Sequence, residues 1–378
     1  EHPFFQRLRR VSQMGLSNLV YPGANHTRFH HALGSMHLMQ KAVRILRLKD
    51  IAISDEEENA VYCAILLHDI GHGPFSHALE HSIVESIHHE DISLKFMEAL
   101  NAEFDGTLEL AISIFKGTYH RKFLNQLIAS QLDMDRLDYL KRDSFYTGVA
   151  EGNINSDRIL TMLNVVDDCL VIEEKGIYSI EKFIVARRLM YWSVYLHKTG
   201  FVAEKIMEML LKRAKELTQR GHILKASAAL SYFLNTDISE TNFDTDTLQL
   251  FARLDDYDLL AAIKEWISVD DKVLSELSKS LINRKLPKIE MHNEPISDER
   301  INAIKLQTKD TYGLSPEELP YFAFSGSIEN QAYDSSKNRI GILYKTGAIK
   351  DVVQASDNLN LKSLDSTVFK YYICYPKK

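Results

Sequence analysis

The sequence predicts a mainly α-helical protein: an all-helical core with one small inserted β-hairpin, followed by a smaller C-terminal α+β unit. Three observations carry this. Apolar residues recur at helical spacing through most of the chain up to residue 284. One short stretch, Asp167–Ile180, alternates instead and contains Lys175-Gly176, which predicts a hairpin. From Lys285 the texture changes to short strand-like runs separated by turns. The expected units are residues 1–220 (core), 221–284 (helical extension) and 285–378 (α+β).

The elements follow in order. Residues 4–19 read as a helix, with Phe5, Leu8, Val11 and Leu16 on an apolar face and Arg7, Arg9 and Arg10 opposite. Tyr21-Pro22-Gly23-Ala24-Asn25 is a turn. A helix spans about 28–48, since Leu33, Met36, Met39, Val43 and Leu46 keep helical spacing. The next, 56–69, ends in Ala64-Ile65-Leu66-Leu67-His68-Asp69, where Gly71, Gly73 and Pro74 stop it. Helices are expected over 75–86 and 90–101, then through most of 107–145. After the hairpin a long helix runs from about Ile180 to Thr218. Three or four more lie between Ile223 and Leu281, including 246–254 and 259–266. In the last unit Lys288–Met291, Tyr321–Phe324, Ile340–Tyr344 and Phe369–Tyr375 read as strands, and Ser297–Asp310 as a helix.

Histidine is the informative residue. Eleven of the 15 histidines lie between His2 and His89. The stretch His68-Asp69-Ile70-Gly71-His72-Gly73-Pro74-Phe75-Ser76-His77 places imidazoles and a carboxylate at a buried helix end. Such groups are not buried cheaply without partners, and a metal ion satisfies several together. His31, His68, Asp69 and one aspartate of the 133–143 stretch meeting at one divalent cation would suit Mn, Fe, Zn or Ni; Mg is less natural beside nitrogen ligands. His72, His77 and His89 would then support the ligands or donate protons. Arg28, Arg136, Arg187 and Lys198 would hold a polyanion. This constellation suits phosphoester or phosphoanhydride hydrolysis better than acyl transfer, for which no G-x-S-x-G is present.

The charge run Asp133–Asp143 reads either as a solvated helix face or as part of this site; its apolar flank Leu127-Ile128-Ala129 favours the second. Net charge is −7, which argues against a broad nucleic-acid surface. Cys63, Cys169 and Cys374 are far apart and read as reduced thiols of a cytoplasmic protein. No apolar run is long enough to span a bilayer, so no membrane partner is expected. The opening residues read as the middle of a fold, so the natural N-terminus is expected upstream.

Several blocks in one order carry a resemblance: Phe5–Arg10, Gln13-Met14-Gly15, Tyr21–His31, His68–His77, His89-Glu90, Asp133–Asp143 and Arg187 to Lys198. Over about residues 3–220 the sequence resembles the HD-domain phosphohydrolases, most closely their dNTP triphosphohydrolase branch. The resemblance implies His31, His68, Asp69 and Asp135 as metal ligands. It implies His72 and His89 as catalytic, with Glu80 paired to them. Phosphate contacts would come from His77, Arg28, Arg136, Arg187 and Lys198. Gln13, Tyr139 and Asp143 would hold the sugar, and Met14 and Tyr195 would crowd its 2′ position. The implied reaction is water attack at the α-phosphate of a dNTP, releasing deoxynucleoside and triphosphate. A homo-dimer or homo-tetramer is implied, and a nucleotide activator is left open.

There are departures from the family pattern. Glu80 replaces the aspartate of mammalian members, Arg136 replaces a lysine and His30 a glutamate. Two other readings stand beside the first. One is an HD-type phosphatase or phosphodiesterase for another nucleotide or phosphate ester. The other is a non-catalytic nucleotide- or nucleic-acid-binding protein, against which the intact set His31, His68, Asp69, Asp135, His72 and His89 speaks.

Overall fold

The computed structural model describes residues 1–75, 79, 82–84, 87–336, 339–357 and 361–377. The helix expected over 75–86 lies mostly outside the described residues, and so do His77 and Glu80. The longer helices are α1 (Arg28–Arg47), α2 (Asp55–Leu67), α3 (His89–Glu103), α4 (Met134–Thr147), α5 (Ile177–Met190), α6 (Lys198–Gln219), α7 (Asp256–Trp266), α8 (Lys272–Ile282) and α9 (Asp298–Tyr312). The fold is mainly α, as expected.

Local chemistry starts these helices where they start. Thr27 and His30 form a reciprocal cap on α1, His30 Nδ1 accepting from the Thr27 amide at 3.2 Å. That gives His30 a structural task on the exposed side of the helix. Ser54 and Glu57 cap α2 in the same way, at 3.1 and 2.9 Å. Asp133 caps α4 by accepting from the Arg136 amide at 2.7 Å, and Gly148 at φ 74° ends that helix. The inward faces then drive packing. Ala32, Met39, Val43 and Leu46 of α1 are fully buried, and α1 packs against α2 and α4. Burial of each large side chain contributes about 1.5–3 kcal/mol.

Four expectations need correction. Residues 4–19 are not one helix. A helical turn, Pro3–Gln6, passes into a 3₁₀ turn, Arg7–Arg10, and a second 3₁₀ turn spans Gly15–Leu19. Between them the chain runs extended, because Val11–Gln13 pairs with His26–Arg28: Gln13 N bonds to His26 O at 3.0 Å and Arg28 N to Val11 O at 2.9 Å. Gly15 at φ 50° then reverses the path.

The predicted 180–218 helix is broken into α5, a π turn over Tyr191–Tyr195, and α6. Leu196 N reaches back to Tyr191 O at 2.7 Å, while the Ser193 carbonyl is taken by the Tyr21 hydroxyl. His197 Nδ1 caps α6 by accepting from Thr199 N at 3.2 Å.

The hairpin is present but turns elsewhere. β1 (Leu163–Val166) and β2 (Cys169–Glu173) are antiparallel across Asp167-Asp168, both in the left-handed region at φ 48° and 59°. Lys175-Gly176 instead sits in a 3₁₀ turn leading into α5. Finally, Leu319–Phe322 is a helical turn set by Ser315 and Glu318, and the strand begins only at Phe324.

The remaining strands are β3 (Lys288–His292), β4 (Phe324–Asn330), β5 (Gly341–Leu343), β6 (Ile349–Asp351) and β7 (Val368–Tyr375). One sheet is antiparallel in the order β3-β7-β4. The other has the order β1-β2-β5-β6, with β2 and β5 parallel, Val171 opposite Gly341. The unit expected over 285–378 therefore shares a sheet with the inserted hairpin. One hydrophobic cluster runs from Phe4 to Cys374. Among the described residues, no helix is long and apolar enough to cross a membrane.

Candidate metal centre and substrate cavity

α1, the end of α2 and the start of α4 converge on four side chains. His31 is fully buried on α1. Its Nδ1 lies 2.8 Å from Asp138 Oδ2, and Asp138 is clasped by Arg142 through two bonds of 2.8 Å each. That leaves Nε2 facing inward, 3.1 Å from Asp135 Oδ1 and 3.7 Å from Asp69 Oδ2. His68 Nδ1 lies 2.6 Å from Ile65 O, which fixes the proton on Nδ1 and turns Nε2 inward. This Nε2 lies 3.5 Å from Asp69 Oδ1 and 3.6 Å from Asp135 Oδ1. Gly34 makes the arrangement fit: a Cβ there would lie 2.0 Å from both Asp138 Oδ1 and Arg142 Nη2.

The donor set fits a divalent ion. Nε2 of both His31 and His68 is buried and meets no hydrogen-bond geometry. Buried imidazole nitrogens without a partner are costly, and two of them beside two carboxylates form a ready donor set. His31, His68 and Asp135 present ligand atoms mutually within 4.8 Å, and so do Asp69, His72 and His89. Asp69 stands between the two groups. The field there attracts positive charge. Burial works against the His31 cation, yet Asp135 and Asp138 push its pKa up to about 10. Burial likewise opposes ionisation of Asp69, but His68, His72 and Arg28 hold its carboxyl well below the usual range.

A cavity of about 490 Å³ opens onto this centre. Asp69, Asp135, His72 and His89 line it, with Arg28 and Arg136 on the same wall. Arg28 Nη1 donates to Asp69 Oδ2 at 2.5 Å. Arg136 is held by Asp133, with its Nε buried and without a hydrogen bond. The rings of His72 and His89 stack at 3.7 Å. Gln13, Met14, Tyr139, Asp143 and Tyr195 complete the lining that the sequence pointed to. Tyr195 donates to Asp143 Oδ2 at 2.8 Å, and Asp143 Oδ1 lies 2.7 Å from His26 Nε2. Gln13 Oε1 is buried without a partner, the state of a group awaiting a donor.

Arg187 is half-buried behind Tyr139, with Nε buried and without a hydrogen bond. Lys198 is exposed at the first position of α6 and does not line the cavity. Sequence reasoning missed Asp138 and His26, which orient His31 and Asp143, and the cavity-lining Tyr191 and Glu204. The (i,i+4) spacing of Asp138 and Arg142 was the available signal for the first. A larger cavity of about 620 Å³ opens beside Lys272, Leu277 and Tyr321. Its wall holds one carboxylate, Glu276, and no imidazole, so it offers no comparable donor set.

One pH dependence follows. Burial, then Arg28, pushes the His72 pKa down to about 3. The folded chain therefore refuses a proton that the unfolded chain takes up near the ordinary value of about 6.5. Stability contributed by neutral His72 is full above that value and is lost as pH falls toward 3. Metal-free protein should lose roughly 2 kcal/mol from this group between pH 7 and pH 4.5, and His72→Asn should remove that part. Urea melts at the two pH values check it; an equal loss in both proteins refutes the assignment.

Comparison with known proteins agrees with this architecture. A family model described as "HD domain" matches residues 28–143, and one described as "HD associated region" matches residues 154–232. A crystal structure described as a phosphohydrolase from Bacteroides thetaiotaomicron is 54% identical, with a TM-score of 0.95, covering 100% of this chain and 94% of that one. The uncharacterised Bacillus subtilis protein YwfO is 35% identical over 289 residues, which is 75% of this chain and 65% of that protein. The Dictyostelium discoideum deoxynucleoside triphosphate triphosphohydrolase SAMHD1 homolog is 32% identical over 60% of this chain and 46% of its own length. The chain thus spans less than two thirds of these two relatives.

Proposed function

This chain belongs to the HD-domain phosphohydrolases, and from that premise we propose that it hydrolyses deoxynucleoside triphosphates at the α-phosphate. One observation carries the reading: the cavity that reaches the metal donor set also presents Arg28 and Arg136 together with the Tyr195–Asp143–His26 chain. A simple phosphatase needs the first two features and not the third.

His31, His68, Asp69 and Asp135 would hold one divalent ion; Mn, Fe, Zn or Ni suits the mixed nitrogen and oxygen donors. When bound, such an ion supplies positive charge beside the phosphate and a water of lowered pKa. The chain's own residues do the rest. Arg28 and Arg136, which line the cavity, bind phosphate oxygens. Asp143, held by His26, accepts from the sugar 3′-hydroxyl, and Gln13 Oε1 accepts from the sugar or base. His72 is neutral in the free protein. The negative charge of an arriving triphosphate raises its pKa, so that it, with His89 stacked on it, gives a proton to the departing 5′-oxygen. Water adds to the α-phosphorus, the bond to that oxygen breaks, and deoxynucleoside and triphosphate leave.

Met14 and Tyr195 form the wall at the 2′ position. Tyr195→Ala should therefore raise kcat/KM for GTP relative to dGTP by about tenfold or more. Unchanged rejection of GTP removes this part of the reading.

The main test loads the protein with Mn²⁺ and supplies each dNTP alone, the four mixed, and GTP, with chromatographic separation of products. Deoxynucleoside with intact triphosphate is expected, and activity only in the mixture identifies a nucleotide activator. Deoxynucleoside monophosphate with pyrophosphate, or no product with metal bound, refutes the reading. Light scattering in the same samples tests the dimer or tetramer that the reading includes.

A further inference from the structure

Two buried side chains outside the catalytic constellation close on the loop that carries His72. We infer that Arg7 and Asp256 are positioning residues that hold this loop, through the Leu254–Asp256 corner, in the geometry that turnover needs. The inference rests on the reading of His72 as a group that meets the substrate.

Arg7 is fully buried. Its Nη2 donates to Ile70 O at 2.7 Å and to His72 O at 2.9 Å, and its Nη1 donates to Leu254 O at 3.2 Å. The guanidinium also lies against the neighbouring rings of Phe96 and Phe251, 5.6 and 5.3 Å from their centroids. One rigid planar fork thus ties both carbonyls flanking Gly71 to the turn before α7. Burial lowers its pKa only to about 10, so it stays charged at neutral pH.

Asp256 works on the opposite side of the loop. Asp255 is the residue that caps α7, accepting from Tyr257 N at 3.0 Å. Asp256, one position later, sends both oxygens elsewhere. Oδ2 accepts from Ser12 N at 2.8 Å and Oδ1 from Phe75 N at 3.2 Å. Phe75 sits at φ 49°, in the left-handed region where a bulky side chain is strained. Such a residue keeps that conformation only where its surroundings hold it. Ser12 directly precedes Gln13, whose unpartnered oxygen lines the cavity. One carboxylate thus fixes two walls of the cavity to each other.

Among the described residues, their hydrogen bonds to this loop go to its backbone, not to the His72 ring or a metal donor. Burying a charged guanidinium and a carboxylate is costly, and apolar filling would serve mere stability better. Residues 254–256 also lie outside the 28–143 match to the HD domain, so the helical extension contacts the loop that lines the active site.

The test uses full-length, metal-loaded Asp256→Asn and Arg7→Lys, assayed well below their melting temperatures. The amide of Asn turns N–H groups toward Ser12 N or Phe75 N, and Lys keeps the charge but loses the fork. kcat should fall about 10- to 100-fold, with KM changed by less than about threefold and bound metal equal to wild type. Unchanged kcat in both variants, or a fall that tracks lost metal, overturns the inference. Amide hydrogen exchange gives a readout that needs no turnover. The amides of residues 70–73 and 75 should exchange at least about tenfold faster in Asp256→Asn, while α4 keeps its rates. Equal rates, or uniform acceleration throughout, overturns the inference as well. If the wild-type protein hydrolyses no nucleotide yet Asp256→Asn shows the local acceleration, the proposed reaction falls and the hold on the loop stands.

Discussion

Asp135→Ala should leave the purified chain with less than about a tenth of the wild-type divalent metal and lower hydrolysis by three orders of magnitude or more. The expectation comes from charge. Asp135 Oδ1 lies 3.1 Å from His31 Nε2 and 3.6 Å from His68 Nε2, so one carboxylate oxygen faces both inward-turned ring nitrogens. Removing it leaves two buried rings with Asp69 alone to balance a dication. Asp69→Ala should act similarly and also releases Arg28, whose Nη1 it holds at 2.5 Å. Elemental analysis of protein purified at neutral pH checks both. A full metal complement in either variant refutes the ligand assignment for that residue.

The second large effect is expected at Gly71. A Cβ there would lie 2.2 Å from His89 O and 2.3 Å from Ser93 N. Both are backbone atoms in the first turn of α3, so no rotamer change relieves the clash. The loop and α3 are also stitched by Gly71 N to Ser93 Oγ at 2.9 Å and Ser93 Oγ to His68 O at 2.7 Å. Gly71→Ala must push α3 away, which parts the stacked rings of His72 and His89. A stability loss of about 3 kcal/mol or more is expected, with little activity in the protein that still folds. Chemical denaturation within about 0.5 kcal/mol of wild type removes the close-approach argument.

Much of the centre was legible because its donors lie in short sequence blocks. His68 and Asp69 end one helix, His31 opens another, and Asp135, Tyr139 and Asp143 share a helix whose spacing sets their directions. Periodicity served helices such as α1 because one face is buried and the pattern records it. What failed were features decided by distant partners. Residues 4–19 keep helical spacing, yet the 11–13 stretch gives up helical bonds for ones to residues 26–28. At the π turn the Ser193 carbonyl takes its bond from the distant Tyr21 hydroxyl. Asp138 meets His31 of another helix, and His26, in the loop before α1, meets Asp143 of α4; neither pairing can be read from local sequence alone.

The parallel pairing of β2 with β5 has a consequence for how the molecule is made. Val171 cannot find Gly341 until the ribosome has delivered nearly the whole chain. Until then β2 presents an open row of amides and carbonyls beside the apolar side chains of Val171 and Ile172. Closing so long a loop comes late and slowly, since its entropy is lost before the contacts form. Synthesis of this protein thus has a vulnerable interval, and a chain released early would meet a second unfinished copy along that edge.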